Sequence, residues 1–258
     1  MSIALISGLI IAVVLVGLLL AGIPIAVSLG VSSILAILPT LNFGATVLTA
    51  TQRIFSGISI FTLLAIPFFI LAGNIMNKGG IAIRLINFAK VLTGRVPGSL
   101  AHTNAVANML FGAISGSGVA AASAMGSIIG PVEREEGYDD SFSAAVNVAT
   151  APTGLLIPPS NVLITYSLVS GGTSVAALFM GGYIPGILWG AACMLVAYFY
   201  AKKRGYRSSE KVSLKEALTI TWQAIPSLLL IVIVIGGIIA GVFTATEGSA
   251  IAVAYSLI

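Results

Sequence analysis

The sequence is short of charge. Asp, Glu, Lys and Arg together make up 8% of the 258 residues, while 58% are hydrophobic. That balance excludes a soluble globular domain and indicates an integral membrane protein, as does a mean hydropathy of +1.10. There is one cysteine, Cys193, which excludes an internal disulfide. There is one histidine, His102. Alone and near an interface, it reads as a satisfied polar residue before it reads as a proton relay. No basic residue precedes the first apolar run, so that run fits a membrane helix better than a cleaved signal peptide. The net charge of +4 does not point to nucleic acid. The basic residues sit in short clusters between apolar runs, as they do in loops on one side of a membrane.

What the chain has is a series of apolar runs. Residues 3–22 can span, and Gly22-Ile23-Pro24 ends that helix before a shorter segment over 25–38. Residues 40–58, with Gln52 and Arg53, read as a loop with an interfacial helix. Residues 60–76 span again. Arg84 and Lys90 on an apolar background over 81–92 suggest a helix lying along the surface. Residues 133–140, EREEGYDD, are the most charged stretch and belong in water. Two further spans cover 174–201 and 218–242. The final apolar run begins after Glu247 and reaches Ile258, which reads as the front part of a longer protein. Glu247, where that helix starts, is expected to cap it.

Residues 99–132 are uncharged throughout. They are too long for one membrane helix of roughly 20 residues and too short for two with a turn. The middle, Ser115-Gly116-Ser117-Gly118, is a poor helix. Two halves of about 13 residues would each fall short of the roughly 30 Å hydrocarbon core. The expected geometry is a re-entrant hairpin with a Ser/Gly tip near the midplane. Backbone exposed at that depth is tolerated only inside protein or along a cavity, so the tip marks a candidate site. Residues 141–169 form a second uncharged run. It is interrupted at Thr150-Ala151-Pro152-Thr153-Gly154 and at Ile157-Pro158-Pro159-Ser160-Asn161, where two consecutive prolines force unwinding.

Orientation follows from charge. With the N-terminus outside and the hairpin entering from inside, every one of the 12 basic residues except Arg53 falls on the inner side. That set includes Arg207 and Lys211 in the loop after the 174–201 span.

Interrupted membrane helices expose carbonyls at the end of one half, which suit a cation. They expose N–H groups at the start of the next, which suit an anion. The hydroxyls of Ser115, Ser117, Thr150 and Ser160 and the amide of Asn161 add neutral ligands. Neither region carries an ionisable side chain, so Na⁺ coupling is expected over proton coupling. The plain reading of Gly112, Gly116 and Gly126 is close helix packing. Asn104, Asn108 and Asn147 are expected to hydrogen-bond between helices, and Pro24 and Pro185 to kink them.

Four stretches carry a resemblance. LLAIPFFILAGNIMNKGG (63–80), FGAISGSGVAAASAMGSIIGP (111–131), LLIPPSNVLITYSLVSGGTSVAALFMGGYIPGIL (155–188) and FTATEGSAIAVAYSLI (243–258) resemble the large membrane subunit of tripartite ATP-independent periplasmic (TRAP) transporters. The resemblance implies an all-α polytopic membrane protein of inverted-repeat, elevator type. It divides the chain into scaffold helices (1–58), a membrane helix and interfacial helix (59–98), a re-entrant hairpin (99–132) and a discontinuous helix (133–172). Scaffold or arm helices with a cytoplasmic loop at 202–217 follow (173–242), and then the start of a second repeat (243–258). It implies a bacterial inner-membrane, multi-pass location with the N-terminus periplasmic. The implied partners are a small four-helix membrane subunit of the Q type and a periplasmic substrate-binding protein. The implied solute carries a carboxylate, with sialic acid ahead of C4-dicarboxylates. Na⁺ is the coupling ion, with no cofactor. Ser115, Ser117, Ser160 and Asn161 would meet the substrate. Backbone at Ser115, Gly116, Gly118, Thr150, Gly154 and Pro158 would hold sodium. In one departure, Ala121 stands where many dicarboxylate-type members carry Asp, which weakens a C4-dicarboxylate assignment.

Two other classes are open to the residues alone. One is a stand-alone Na⁺/dicarboxylate symporter, which shares the hairpin logic. The other is an intramembrane serine protease using Ser115 or Ser117 with His102. Its GxSG signature is missing, because Gly112-Ala113-Ile114-Ser115-Gly116 has the wrong spacing.

Overall fold

Glycine and proline punctuate the chain into helices. The structure, a computed structural model, describes residues 3–206 and 212–257. Arg207 and Lys211, counted above among the inner basic residues, lie outside the described residues. The chain forms two units, residues 1–60 and 61–258.

In the first unit, α1 (Ile3–Leu20) is apolar all round and carries no buried residue. In water that surface would be untenable, whereas in lipid it is the expected face of a spanning helix. Gly22, at φ +77°, and Pro24 turn the chain into α2 (Ile25–Ile37). The two pack together, with Ser7 Oγ donating to Ala36 O at 2.8 Å. Helix α3 (Phe43–Ile58) fills most of the segment read as loop plus helix. Asn42 starts it by accepting from the Ala45 amide at 2.8 Å.

The second unit begins with a 3₁₀ turn (Phe61–Leu64) running into α4 (Ala65–Lys78). Helix α5 (Ile81–Thr93) buries Ala82, Leu85, Ile86, Ala89 and Thr93, one stripe at helical spacing. That stripe packs on α6 (Ser99–Ser115) and on α12 (Leu214–Ile239). So α5 covers other helices with one face and keeps Arg84 on the other.

The hairpin is α6 and α7 (Gly118–Glu135), 17 and 18 residues long. Each is about 25–27 Å at 1.5 Å per residue. The halves are longer than the expected 13 residues because helical hydrogen bonding runs on to the Gly116 amide, and only Gly116 and Ser117 are left between them. The interrupted run becomes α8 (Asp140–Thr150), a single turn α9 (Thr153–Leu156) and α10 (Asn161–Val169). Helix α11 (Val175–Arg204) runs 30 residues and passes through Pro185 without interruption. Last comes α13 (Ala245–Ser256), which packs on α4. Glu247 caps it in a reciprocal box with Thr244, as expected, its carboxylate accepting from the Thr244 amide at 2.8 Å.

All described regular elements are helical, and four are long and apolar enough to cross a membrane: Ile3–Leu20, Phe61–Lys78, Val175–Arg204 and Leu214–Ile239. The core of the second unit gathers Phe69, Met76, Leu85, Phe111, Met125 and Ile164 around the hairpin. A smaller cluster of Leu100, Tyr138, Phe142 and Ala197 closes the hairpin's base. There Tyr206 stacks on Tyr138 at 4.3 Å between ring centroids.

Candidate functional site

Two interruptions in sequence become one junction in space. Gly116, at φ +62°, ends α6 in the left-handed conformation that glycine adopts most readily. Ser117 is extended, and its hydroxyl accepts from the Ala120 amide to start α7. On the other element, α8 ends at Thr150 and α10 starts after Pro158-Pro159, with Ser160 as its cap. The Asn161 amide donates to Gly116 O at 3.3 Å, which joins the tip to the break. The Gly112 backbone lies against Gly154, so close that a side chain on either would collide with the other. A Cβ at Gly118 would lie 2.7 Å from Ala151 O. The sequence offers small residues at these points because backbone must meet backbone here.

The candidate residues fall as follows. Ser115 is buried, and its hydroxyl donates to Ser117 O at 3.3 Å. Ser117 is half-buried beside it. Gly116, Gly118, Gly154 and Pro158 are buried in the junction. Thr150 is fully buried; its hydroxyl donates to Val146 O and accepts from Asn108 Nδ2, both at 2.8 Å. Ser160 is fully buried and already engaged, since its Oγ donates to Leu155 O at 2.5 Å and accepts from the Leu163 amide at 3.3 Å. Asn161 holds its Oδ1 buried with no hydrogen-bond partner. That oxygen lies 3.2 Å from where a Gly116 Cβ would be, so it is directed at the tip.

Asn108 and Asn147 do bond between helices, whereas Asn104 accepts from Asn108 along its own helix. Asn108 Nδ2 lies 2.9 Å from Asn104 Oδ1, 3.0 Å from Asn147 Oδ1 and 2.8 Å from Thr150 Oγ1. An amide NH₂ has two hydrogens, so it serves two of these acceptors at a time. Asn147 Nδ2 in turn donates to Ala122 O at 2.8 Å on α7. Hairpin and broken helix are thereby tied by side chains as well as by backbone. Helix α11 braces the same point, with Trp189 Nε1 donating to Ala149 O at 2.8 Å.

A cavity of about 300 Å³ opens from Ser115 and Ser117 between α4 and α7. Asn74, Asn77, Ser123 and Ser127 also line it, and the residue-by-residue reading missed all four. The signal was present as polar pairs at i,i+3 and i,i+4 spacing on otherwise apolar helices, which place polar groups on one face. At membrane depth such a face meets protein or water, not lipid. No charged side chain lines the cavity or the junction.

His102 sits in the first turn of α6 and Ser115 in its last. Thirteen residues of helix put them about 20 Å apart. The protease alternative therefore has no base near its nucleophile.

This is a membrane protein in which two uncharged, interrupted helices meet at a polar cavity, the construction used by secondary transporters. Residues 12–258 match the family described as Tripartite ATP-independent periplasmic transporter, DctM component, and the chain belongs to that family. It is 59% identical over 236 residues to a protein of Salmonella typhimurium described as uncharacterized protein YgiK, covering 92% of this chain and 54% of that one. It is 43% identical over 241 residues to the sialic acid TRAP transporter large permease SiaM of Vibrio cholerae, covering 93% of this chain and 56% of that one. It is 39% identical over 263 residues to the C4-dicarboxylate large permease DctM of Rhodobacter capsulatus, covering 97% and 59%. The chain spans about half the length of these curated relatives. The family's members are transporter components and not enzymes, which removes the protease reading.

Proposed function

We propose that the chain is part of the large membrane subunit of a Na⁺-coupled importer of a carboxylate solute in the bacterial inner membrane. A periplasmic binding protein delivers the solute, and a small four-helix membrane subunit completes the permease. The N-terminus is periplasmic, and the hairpin is re-entrant from the cytoplasmic side. The observation that carries this is the junction itself, where an uncharged tip is hydrogen-bonded to an uncharged break through Gly116 O and the Asn161 amide. With no titratable group there, a solute charge is met by helix N-termini and hydroxyls, and a coupling cation by carbonyls. The unpartnered, buried Asn161 Oδ1 fits a hard cation's preference for neutral oxygen. Backbone at Ser115, Gly116, Gly118, Thr150, Gly154 and Pro158 supplies the rest of the sodium site. Ser115 and Ser117 meet the solute from the cavity and Asn161 from the junction beside Gly116, and Ser160 holds α10 in place for them.

Sialic acid is the favoured solute, with C4-dicarboxylates next. Ala121, fully buried on the first turns of α7, adds no charge of its own beside the tip. Uptake into proteoliposomes tests the reading. The full-length protein with its small subunit is assayed with and without binding protein and with and without an inward Na⁺ gradient, using labelled sialic acid and succinate. Uptake that needs both Na⁺ and the binding protein supports it. Uptake without a binding protein favours the stand-alone symporter, and indifference to Na⁺ removes the coupling ion.

A further inference from the structure

A second polar cavity, of about 440 Å³, lies at the base of the hairpin, away from the tip. It is bounded by the C-terminal half of α7 and the first turns of α8, with Asn104 of α6. Into it goes Glu133, a carboxylate that is 1% exposed. Its Oε1 has no hydrogen-bond partner, and neither has Ser143 Oγ on the opposite wall, in a residue 8% exposed. An ionised carboxylate buried without a counter-charge carries a penalty of several kcal/mol. The neighbouring cation does not relieve it. Arg134 turns outward, and its Nε donates to Asp140 at 2.9 Å in an exposed pair. The other titratable groups on α6, α7, α8 and the turn between them are Glu135, Glu136, Tyr138, Asp139 and His102. Helix α11, packed on α6 and α8, brings Lys202, Lys203 and Arg204; Arg204 acts on Asp139, and none of the three lines the cavity.

We infer that Glu133, with Ser143, Asn104 and Asn147 around it, binds a small monovalent cation, Na⁺ or a proton, at the base of the hairpin. The two unpartnered atoms, Glu133 Oε1 and Ser143 Oγ, are both oxygens, as hard cations prefer, while the Asn104 and Asn147 side-chain oxygens already accept from Asn108. Glu133 lies in the last turn of α7, where the helix's partial negative charge adds to the attraction. The site is also wired to the junction. Asn147 lines this cavity, and Asn108 bridges it to Thr150 at the break. The inference does not depend on which solute is carried or on sodium at the tip.

Binding of radiolabelled Na⁺ to the detergent-purified full-length protein tests it, in parallel with infrared titration of carboxylic acid bands. If Na⁺ is the ligand, Glu133→Gln weakens one class of Na⁺ sites at least tenfold, and acidification displaces Na⁺ from the wild type but not from the variant. If the proton is the ligand, Na⁺ binding is unchanged, but a carboxylic acid band that titrates above the ordinary carboxylate range vanishes in Glu133→Gln. Ser143→Ala keeps the carboxyl and adds no volume, so it guards against a misfolded Glu133→Gln. It weakens the same Na⁺ class or moves the same band. Unchanged Na⁺ binding and unchanged bands in both variants overturn the site. Absence of any Na⁺ binding by the wild type removes sodium from the tip, while the infrared arm still decides this site.

Discussion

The Gly112 and Gly154 backbones touch, each occupying the space a side chain would need on the other. One glycine lies in the last turns before the hairpin tip, the other on the single turn inside the break. The contact allows the Asn161 amide to reach Gly116 O. Replacing either glycine with alanine should therefore push tip and break apart. Overpacking of this kind costs about 1–3 kcal/mol. Gly112→Ala and Gly154→Ala are expected to lower the unfolding temperature in detergent and to impair transport together. Gly181→Ala, exposed on α11 with nothing within 4 Å of its added Cβ, is the control and should leave both unchanged. A Gly112→Ala protein as stable and active as the control would mean the contact is dispensable.

Ser115 and Ser160 are similar residues in sequence, and the structure separates them. The Ser160 hydroxyl is committed to Leu155 O and the Leu163 amide. Ser115 lines the cavity, and its hydroxyl's two bonds, to Ser117 O and from the Ser117 amide, are both local and long. Ser115→Ala should weaken solute or Na⁺ affinity by about ten- to hundredfold, on the order of 1–3 kcal/mol. It should barely change stability. Ser160→Ala removes a helix cap and should cost about 1 kcal/mol of stability. Uptake affinities set beside thermal unfolding check this, and equal affinity losses with equal stability would return both serines to one role.

The junction was largely legible in the sequence because its causes are local. Two glycines around a serine, and two prolines before a serine, break helices wherever they occur. The absence of charge placed both breaks at membrane depth. What the sequence could not show was partnership. Nothing in the spacing of Gly112 and Gly154 says that they meet, because that depends on how α6 crosses the broken helix. The hairpin arms are longer than expected because the expectation divided the uncharged run 99–132 around a four-residue tip, whereas helical hydrogen bonding runs up to Gly116 and α7 continues past the run to Glu135. Glu133 sits in a run of charged residues that reads as solvated. Its burial follows from the tertiary packing of α7 on α8.

Asn108 is fully buried and reaches three helical residues on two elements. Asn108→Ala leaves those oxygens short of a donor in the interior, a cost of about 1–3 kcal/mol. If the network acts as a unit, Asn108→Ala and Asn147→Ala will not add. A double-mutant cycle on unfolding free energy should show coupling of about 0.5–3 kcal/mol. Additive losses would mean that each asparagine serves its own helix only.

Burial pushes the Glu133 carboxyl up to about 7, against an ordinary value of 4.5. A raised carboxyl pKa in the fold means that folding favours the protonated form. Below pH 4.5 both states are protonated and the group contributes nothing to pH dependence. As pH rises from there toward 7 the unfolded chain releases its proton first, so the fold loses stability through that window. The loss is on the order of 1–3 kcal/mol and is complete above the folded value. Glu133→Gln lacks the titration. It should match the wild type at low pH and exceed it in alkaline buffer without Na⁺. Thermal unfolding across that range in choline chloride measures the difference. Adding NaCl at alkaline pH should then restore wild-type stability selectively if Na⁺ is the bound cation. A Glu133→Gln protein that tracks the wild type at every pH would mean that the carboxyl is solvated in the working protein.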